Sequence, residues 1–330
     1  MTNNYNNVYI KETALVAGKI EAKGPLAMHF DKTYESFYVD KKSLELSEVL
    51  MQHDSINILL KKSGLEKDNI DLLIGGDLLN QITATCYGAR PYQIPFLGVF
   101  AACATTAESM IIAANMIELG RAINAICVSS GHNLVAEKQF CNPVEYGAPK
   151  PKTATFTSTG AASIILTNEK TNVKLTSSTI GKIVDLGQKD PNHMGAAMAP
   201  ACADTIKEHL KNTNTKVEDY DMILSGDLGI YGKKILIDYM KREYNLDISK
   251  NYNDCGVMLY EIDKQKQITA GGSGPICNAL VNYGYVYDML KKKTIKKVLL
   301  VPTGALFSPT FAYQKQNIMG IAHSVVWEAI

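Results

Sequence analysis

Pro95-Phe-Leu-Gly-Val-Phe-Ala-Ala-Cys-Ala-Thr-Thr-Ala-Glu-Ser-Met110 runs from apolar residues into small ones and then into a helical stretch, with Cys103 at the join. The apolar run reads as a buried strand. A cysteine between such a strand and a helix start faces backbone N–H groups and the positive end of the helix dipole. That position lowers a thiol pKa and suits a nucleophile or an anion-binding point. The stretch therefore predicts a strand–turn–helix unit of an α/β fold with its site at the turn.

Outward from this turn, one unit occurs twice. Asp71-Leu-Leu-Ile-Gly-Gly-Asp-Leu-Leu79 is echoed by Asp221-Met-Ile-Leu-Ser-Gly-Asp-Leu-Gly229, each a short apolar strand ending in Gly-Asp-Leu. An amphipathic helix precedes each. The first carries Leu46, Leu50, Ile56 and Leu60 on one face and stops near Gly64; the second carries Ala203, Ile206 and Leu210. An acidic turn follows both. The Cys103 turn, a helix through Ala107, Ile111 and Ala114, and a strand at 122–130 form one set. The turn Ala270-Gly-Gly-Ser-Gly-Pro275, a helix through Leu280 and Tyr287, and a strand at 298–302 form the other. Apolar strands alternating with helices predict parallel sheets covered by helices. The expectation is a duplicated α/β fold with halves 1–172 and 173–330 and a site between them. The turn-rich stretch 141–155 reads as an excursion from the first half.

Composition narrows the function classes. The 330 residues carry 34 Lys plus Arg against 33 Asp plus Glu, so no basic stripe for nucleic acid and no electrostatic membrane anchor is expected. The seven cysteines (Cys86, Cys103, Cys127, Cys141, Cys202, Cys255 and Cys277) are scattered, with no C-x-x-C pair. They read as reduced, mostly buried residues of an intracellular protein, not as disulfides or a metal site. The N-terminus lacks a signal pattern, and no apolar run approaches the roughly 18 residues of a membrane span.

Specific stretches sharpen the reading. A duplicated α/β chain with Cys103 at a helix start and Met194-Gly-Ala-Ala-Met-Ala-Pro-Ala201 heading the second half resembles the thiolase superfamily. Phe30-Asp-Lys-Thr-Tyr34, Gly76-Asp-Leu-Leu-Asn-Gln81, Ala136-Glu-Lys-Gln-Phe140, Pro143-Val-Glu-Tyr-Gly147, Ser225-Gly-Asp-Leu-Gly229 and Thr303-Gly-Ala-Leu-Phe-Ser-Pro309 resemble the stage V sporulation protein AD family. The resemblance implies a thiolase-like, layered α-β-α-β-α sandwich of two pseudo-symmetric halves. It further implies a protein without catalysis or cofactor that binds dipicolinic acid (pyridine-2,6-dicarboxylate) for uptake into the developing spore. The implied partners are other, membrane-bound stage V sporulation proteins and a second copy of the chain, paired through the strand at 122–130. The implied location is the forespore or spore, soluble or peripheral to the inner membrane.

The residues test the implied absence of catalysis. Thiolases and ketoacyl synthases need, besides the cysteine, polar groups from the second half to activate the thiol and bind the oxyanion. The loops expected to carry them are 225–229, 271–274 and 302–305, and they hold no His, no Asn or His, and no Cys, respectively. The competing reading is a Cys-dependent acyltransferase in which His132 or His193 serves Cys103 as base. A third is an interaction scaffold with a vestigial pocket.

A dicarboxylate needs cations or N–H donors at two points and a flat apolar slot for its ring. The candidates are Cys103, Arg90, Lys138, His132 and His193. Neither histidine has metal-ligand spacing, so no metal site is expected. His53 reads as a core residue on an apolar helix face, His209 as lying on an exposed one, and His29 and His323 as loop residues. Asp77 and Asp227 are odd neighbours for a dianion and read as loop ties. Glu108 reads as structural.

Overall fold

The computed structural model describes residues 1–39, 41–140 and 150–330. Strands β1 (Thr2–Asn4), β2 (Tyr9–Ala17), β3 (Lys32–Thr33), β4 (Leu72–Gly76), β5 (Phe96–Gly98), β6 (Asn124–Gly131), β7 (Phe156–Thr157) and β8 (Gly160–Thr167) belong to the first half. The second half supplies β9 (Val173–Ile180), β10 (Met222–Ser225), β11 (Tyr252–Asp254), β12 (Gly272–Ser273), β13 (Lys297–Val301), β14 (Thr303–Leu306) and β15 (Met319–Ala329). The helices that matter here are α1 (Leu44–Ser63), α2 (Thr83–Ala89), α3 (Thr105–Glu118), α4 (Asn133–Phe140), α5 (Met194–Thr213), α6 (Gly229–Tyr244), α7 (Cys255–Met258) and α8 (Pro275–Leu280). Residue 172 lies between β8 and β9.

The strand order β11-β10-β13-β15-β9-β2-β8-β6-β4-β5 makes the duplication visible. Read from either outer edge inward, each half places its major strands third, second, fourth, fifth, first. β4 runs parallel to β5 and β6, and β10 runs parallel to β11 and β13. β8 and β15 are the antiparallel fourth-to-first connections of their halves. The halves meet where β2 touches β9, at Tyr9 and Lys174. The two Gly-Asp-Leu strands are β4 and β10, at equivalent places. Every residue of β4, β6 and β8 is buried, as apolar strands covered on both faces should be.

Three apolar clusters define the layers. α3 and the helix beginning at α8 lie in the central one, with Met110, Ile111, Ala279 and Leu280 meeting strand residues of both halves such as Ile74, Ile164, Leu300 and Val325. α5 and α6 cover the outer face of the second half through Ile206, Leu210 and Leu236. α1 covers that of the first through Ile56 and Leu59. The result is the expected layered sandwich. The helix from α8 passes through a π-helical turn, Val281–Val286, before its last turn at Tyr287–Lys291. Within that turn Tyr283 stacks on the fully buried Trp327, ring centroids 5.9 Å apart.

Several local expectations are corrected. α1 starts at the Ser43 cap, whose Oγ accepts from Leu46 N, and ends at Gly64 with a left-handed φ of 69°. Its buried face is Glu48, Met51, Gln52, Ser55, Ile56 and Leu59, whereas Leu46 is exposed and Leu50 and Leu60 are half-buried. His53 is half-buried instead of core. His209 is fully buried, because β9 and β15 cover that face of α5: Thr179 Oγ1 lies 2.8 Å and Ser324 Oγ 3.2 Å from its Nδ1. His323 sits inside β15, buried, where its Nδ1 accepts from Gly181 N. The strand expected to pair two copies is β6, and it is interior, hydrogen-bonded to β4 on one side and β8 on the other. Among the described residues the open edge of the first half is β5, which pairs with β4. Cys141 and the stretch 143–147 lie outside the described residues.

Candidate functional site

β5 leads into the Cys103 turn, which local hydrogen bonds tighten. Thr105 Oγ1 donates to Ala102 O at 2.6 Å and accepts from Ala101 N at 3.1 Å. Ala102 takes a left-handed φ of 48°, a conformation that costs a non-glycine residue about 1–3 kcal/mol and collects at functional sites. From α8, Asn278 clamps the turn: its Nδ2 donates to Cys103 O at 3.0 Å, and its Oδ1 accepts from Thr106 Oγ1 at 2.7 Å. Gly304 of β14 lies so close that a Cβ there would stand 2.4 Å from Ala101 O. Glycine at 304 is what lets the C-terminal loop reach the turn.

The three second-half loops singled out in the sequence do converge here. Asp227, from 225–229, lies beneath the thiol and is fully buried. Its Oδ2 accepts from Ser273 Oγ and Gly274 N, both at 3.1 Å, and its Oδ1 accepts from Thr303 Oγ1 at 3.4 Å. Asp254, at the end of β11, anchors the loop by accepting from Ser225 Oγ, Leu228 N and Gly229 N. Gly271 and Gly274 hold φ values of 121° and 96°, which bend the glycine-rich turn around this carboxyl.

These neighbours reverse the expected electrostatics of the cysteine. Burial pushes the Cys103 thiol well above its ordinary pKa, and the negative charge of Asp227 pushes it further. Burial likewise lifts Asp227 to about 7. Cys103 lies two residues before α3, and at that spot desolvation and a carboxylate outweigh any help from the helix dipole. A thiolate is strongly disfavoured there.

Above Cys103 opens a cavity of about 110 Å³. A dry apolar cavity of about 150 Å³ holds a benzene molecule, so the scale is that of one ring. Phe100, Phe140 and Phe307 give it aromatic walls, with Phe140 and Phe307 rings 6.1 Å apart, and Met194 and Met198 close the other side. Thr155, Thr157, Asn192 and Ser273 supply neutral polar groups. Among the described lining residues the charged ones are Glu137 and Lys150, which pair with each other.

Of the residues singled out from the sequence, Cys103 lines this cavity and the other four do not. Arg90 is exposed over the Tyr87 ring, in a separate surface depression with Cys86, Gln93 and Phe96. Lys138 is exposed and pairs with Glu45 at 3.1 Å. His132 is buried behind α4, where its Nε2 meets Phe37 O at 2.8 Å, and burial lowers its pKa. His193 precedes α5 beside the Tyr231 ring, while its neighbours Asn192 and Met194 face the cavity. Asp77 ties its loop by accepting from Leu79 N, Thr85 N and Thr85 Oγ1. Glu108 is half-buried on α3. Sequence reasoning missed Lys150, placed in a turn without a role, and the partnership of Asp227 with Cys103. The signal for the second was present: 225–229 is the loop in which a histidine was sought opposite the cysteine.

Among the described residues no cluster of three or more His, Cys, Asp or Glu could hold a metal ion, and no helix is long and apolar enough to cross a membrane.

Comparison with known proteins now adds to the geometry. The model of the family "Stage V sporulation protein AD" matches residues 2–328. The stage V sporulation protein AD of Bacillus subtilis (strain 168) is 43% identical over 321 residues, covering 97% of this chain and 94% of the relative. Among solved structures, 3-oxoacyl-[acyl-carrier-protein] synthase III from Aquifex aeolicus VF5 superposes with a TM-score of 0.59 at 12% identity, over 97% of this chain and 99% of that one. Cerulenin-bound Xanthomonas campestris OleA superposes with a TM-score of 0.62 at 15% identity, over 99% and 98%. At these identities the structural likeness speaks for the fold, which is thiolase-like.

Proposed function

The chain belongs to the stage V sporulation protein AD family, and we propose that its Cys103 cavity binds dipicolinic acid, without catalysis, for uptake into the developing spore. The observation that carries this reading is the cavity itself: one-ring in size, walled by Phe100, Phe140 and Phe307, with Lys150 at its rim and a cysteine held as the thiol. The aromatic walls suit a pyridine ring, Lys150 suits one carboxylate, and Thr155, Thr157, Asn192 and Ser273 offer donors for the other. A nucleophile would need the opposite electrostatics around its sulfur. The proposal extends to a homodimer, formed through the open edge of β5, and to membrane-bound stage V sporulation proteins as partners at the forespore membrane.

Calorimetry and thermal unfolding with dipicolinate test the reading. At about 100 times the dissociation constant, a ligand bound only by the native state adds ~2.7 kcal/mol of stability. Pyridine-2-carboxylate, lacking one carboxylate, is expected to bind at least tenfold more weakly, since a charge-assisted hydrogen bond contributes ~1.5–3 kcal/mol. Lys150→Met is expected to narrow the gap between the two ligands. Equal affinities would refute two-point recognition, and absence of saturable binding at millimolar dipicolinate would leave a scaffold role.

A further inference from the structure

Directly beneath the proposed anion site lies a buried carboxyl group with no cation paired to it among the described residues. Asp227 is fully buried and is separated from the cavity by Cys103 and Ser273, which line the floor. Among the described residues its hydrogen-bond partners are donors, Ser273 Oγ, Gly274 N and Thr303 Oγ1, and the Cys103 thiol lies within reach of its charge. Among the described residues, the titratable groups that feel its charge from the packed elements are Cys103 of the turn, Cys202 of α5, Asp254 of β11, Cys255 of α7 and Cys277 of α8. None is basic. Lys233 of α6 bonds to Asn253 Oδ1 at 2.6 Å and feels the charge of Asp254. Lys150, across the cavity, is paired with Glu137.

Two anions stacked through one layer of side chains in a poorly solvated site repel strongly. They also compete for the same donors: an ionised Asp227 draws the Ser273 hydroxyl and the Cys103 thiol inward, away from anything bound above. Protonating Asp227 removes the charge and releases those donors toward the cavity. We infer that the cavity takes up its dianionic ligand together with one proton, held by Asp227, so that this residue sets the pH range over which the site fills. The inference rests on the dipicolinate-binding reading. It makes Asp227 a positioning residue, acting through Ser273 and Cys103 rather than by touching the ligand. That burial lifts its pKa to about 7 places the transition near neutrality.

The test is calorimetric titration of the full chain with dipicolinate from pH 6 to 8.5, repeated at each pH in two buffers of different ionisation enthalpy. Both ligand carboxylates remain ionised throughout this range. The expected result is uptake approaching one proton per ligand at pH 8.5, with the dissociation constant rising about tenfold per pH unit above 7. Asp227→Asn is expected to flatten that profile and to bind at least as tightly as the parent at pH 8.5. The two-buffer measurement on the unaltered chain decides the matter even if the variant folds poorly. Saturable binding with no proton uptake and a flat profile would overturn this inference while leaving the binding proposal intact. No saturable binding at any pH would overturn the binding proposal itself.

Discussion

Replacing Glu48 by Gln should make the stability difference between variant and parent depend steeply on pH. Glu48 projects from α1 into a polar network sealed against the sheet, and it is 1% exposed. Its Oε1 accepts from Ser130 Oγ at 2.7 Å; Gln52 Nε2 donates to Ser130 Oγ at 2.6 Å and to Thr85 Oγ1 at 3.0 Å. Thr85 Oγ1 in turn donates to Asp77 Oδ2 at 2.6 Å. Two carboxyl groups thus share one network without a cation hydrogen-bonded to either among the described residues. Burial first, and then the nearby Asp77 charge, raise Glu48 from 4.5 to about 8. A carboxyl raised on folding destabilises the native state progressively as pH climbs from the unfolded value to the folded one, because only the unfolded chain ionises in that window. Below 4.5 the effect is absent; above 8 it is fully developed. Between pH 5 and 7 the parent should lose on the order of 2.5 kcal/mol relative to Glu48→Gln, which is neutral in both states. Urea unfolding at both pH values, followed by the single buried Trp327, reads this directly. A gap that stays constant, or one that moves in favour of the parent as pH rises, would show Glu48 ionised in the native state and refute the reasoning.

Three further outcomes are expected. Cys103→Ala should fold with a loss of roughly 1 kcal/mol, and intact-mass analysis after incubation with acetyl or malonyl thioesters should show no adduct on the parent that the variant loses; such an adduct would make the protein an acyltransferase. His209, held near 4 by burial against an ordinary 6.5, stays neutral while the unfolded chain takes up a proton, so stability should fall as pH drops from 6.5 toward 4. His209→Gln should remove up to about 3 kcal/mol of that fall in acid-titrated urea unfolding, and an unchanged acid limb would contradict the assignment. Leu97→Asp, on the open β5 edge where Leu97 is exposed, should convert a dimer into monomers in sedimentation experiments; an unaltered dimer would exclude that edge as the interface.

The duplication was legible because it is written in apolar strands and glycine turns, which are locally encoded. The two Gly-Asp-Leu segments fell on equivalent strands, and the Cys103 turn fell at the cavity. The face of α1 was misread for an instructive reason: Glu48 and Gln52 are buried by bonding to Ser130, and Ser55 by bonding to Ser163, so their partners lie on strands that an apolar periodicity cannot register. His209 was misplaced in the same way, since its burial depends on strands that arrive from elsewhere in the chain. The thiol of Cys103 shows the limit most clearly. Its local setting argues for activation, and burial, reinforced by a carboxyl from the other half, reverses the sign.

The pairing of β1 carries a consequence for the order of folding. β1, Thr2–Asn4, pairs antiparallel with the end of β9, Thr2 opposite Thr179, so a segment ahead of the first half's main strands has its partner in the second half. Contacts of such long sequence separation form late and slow the final docking. The two halves are in this respect stitched together: a segment of one edges the sheet of the other. Until β9 is available that segment stays unpaired, so the edge of the second half is completed by the first.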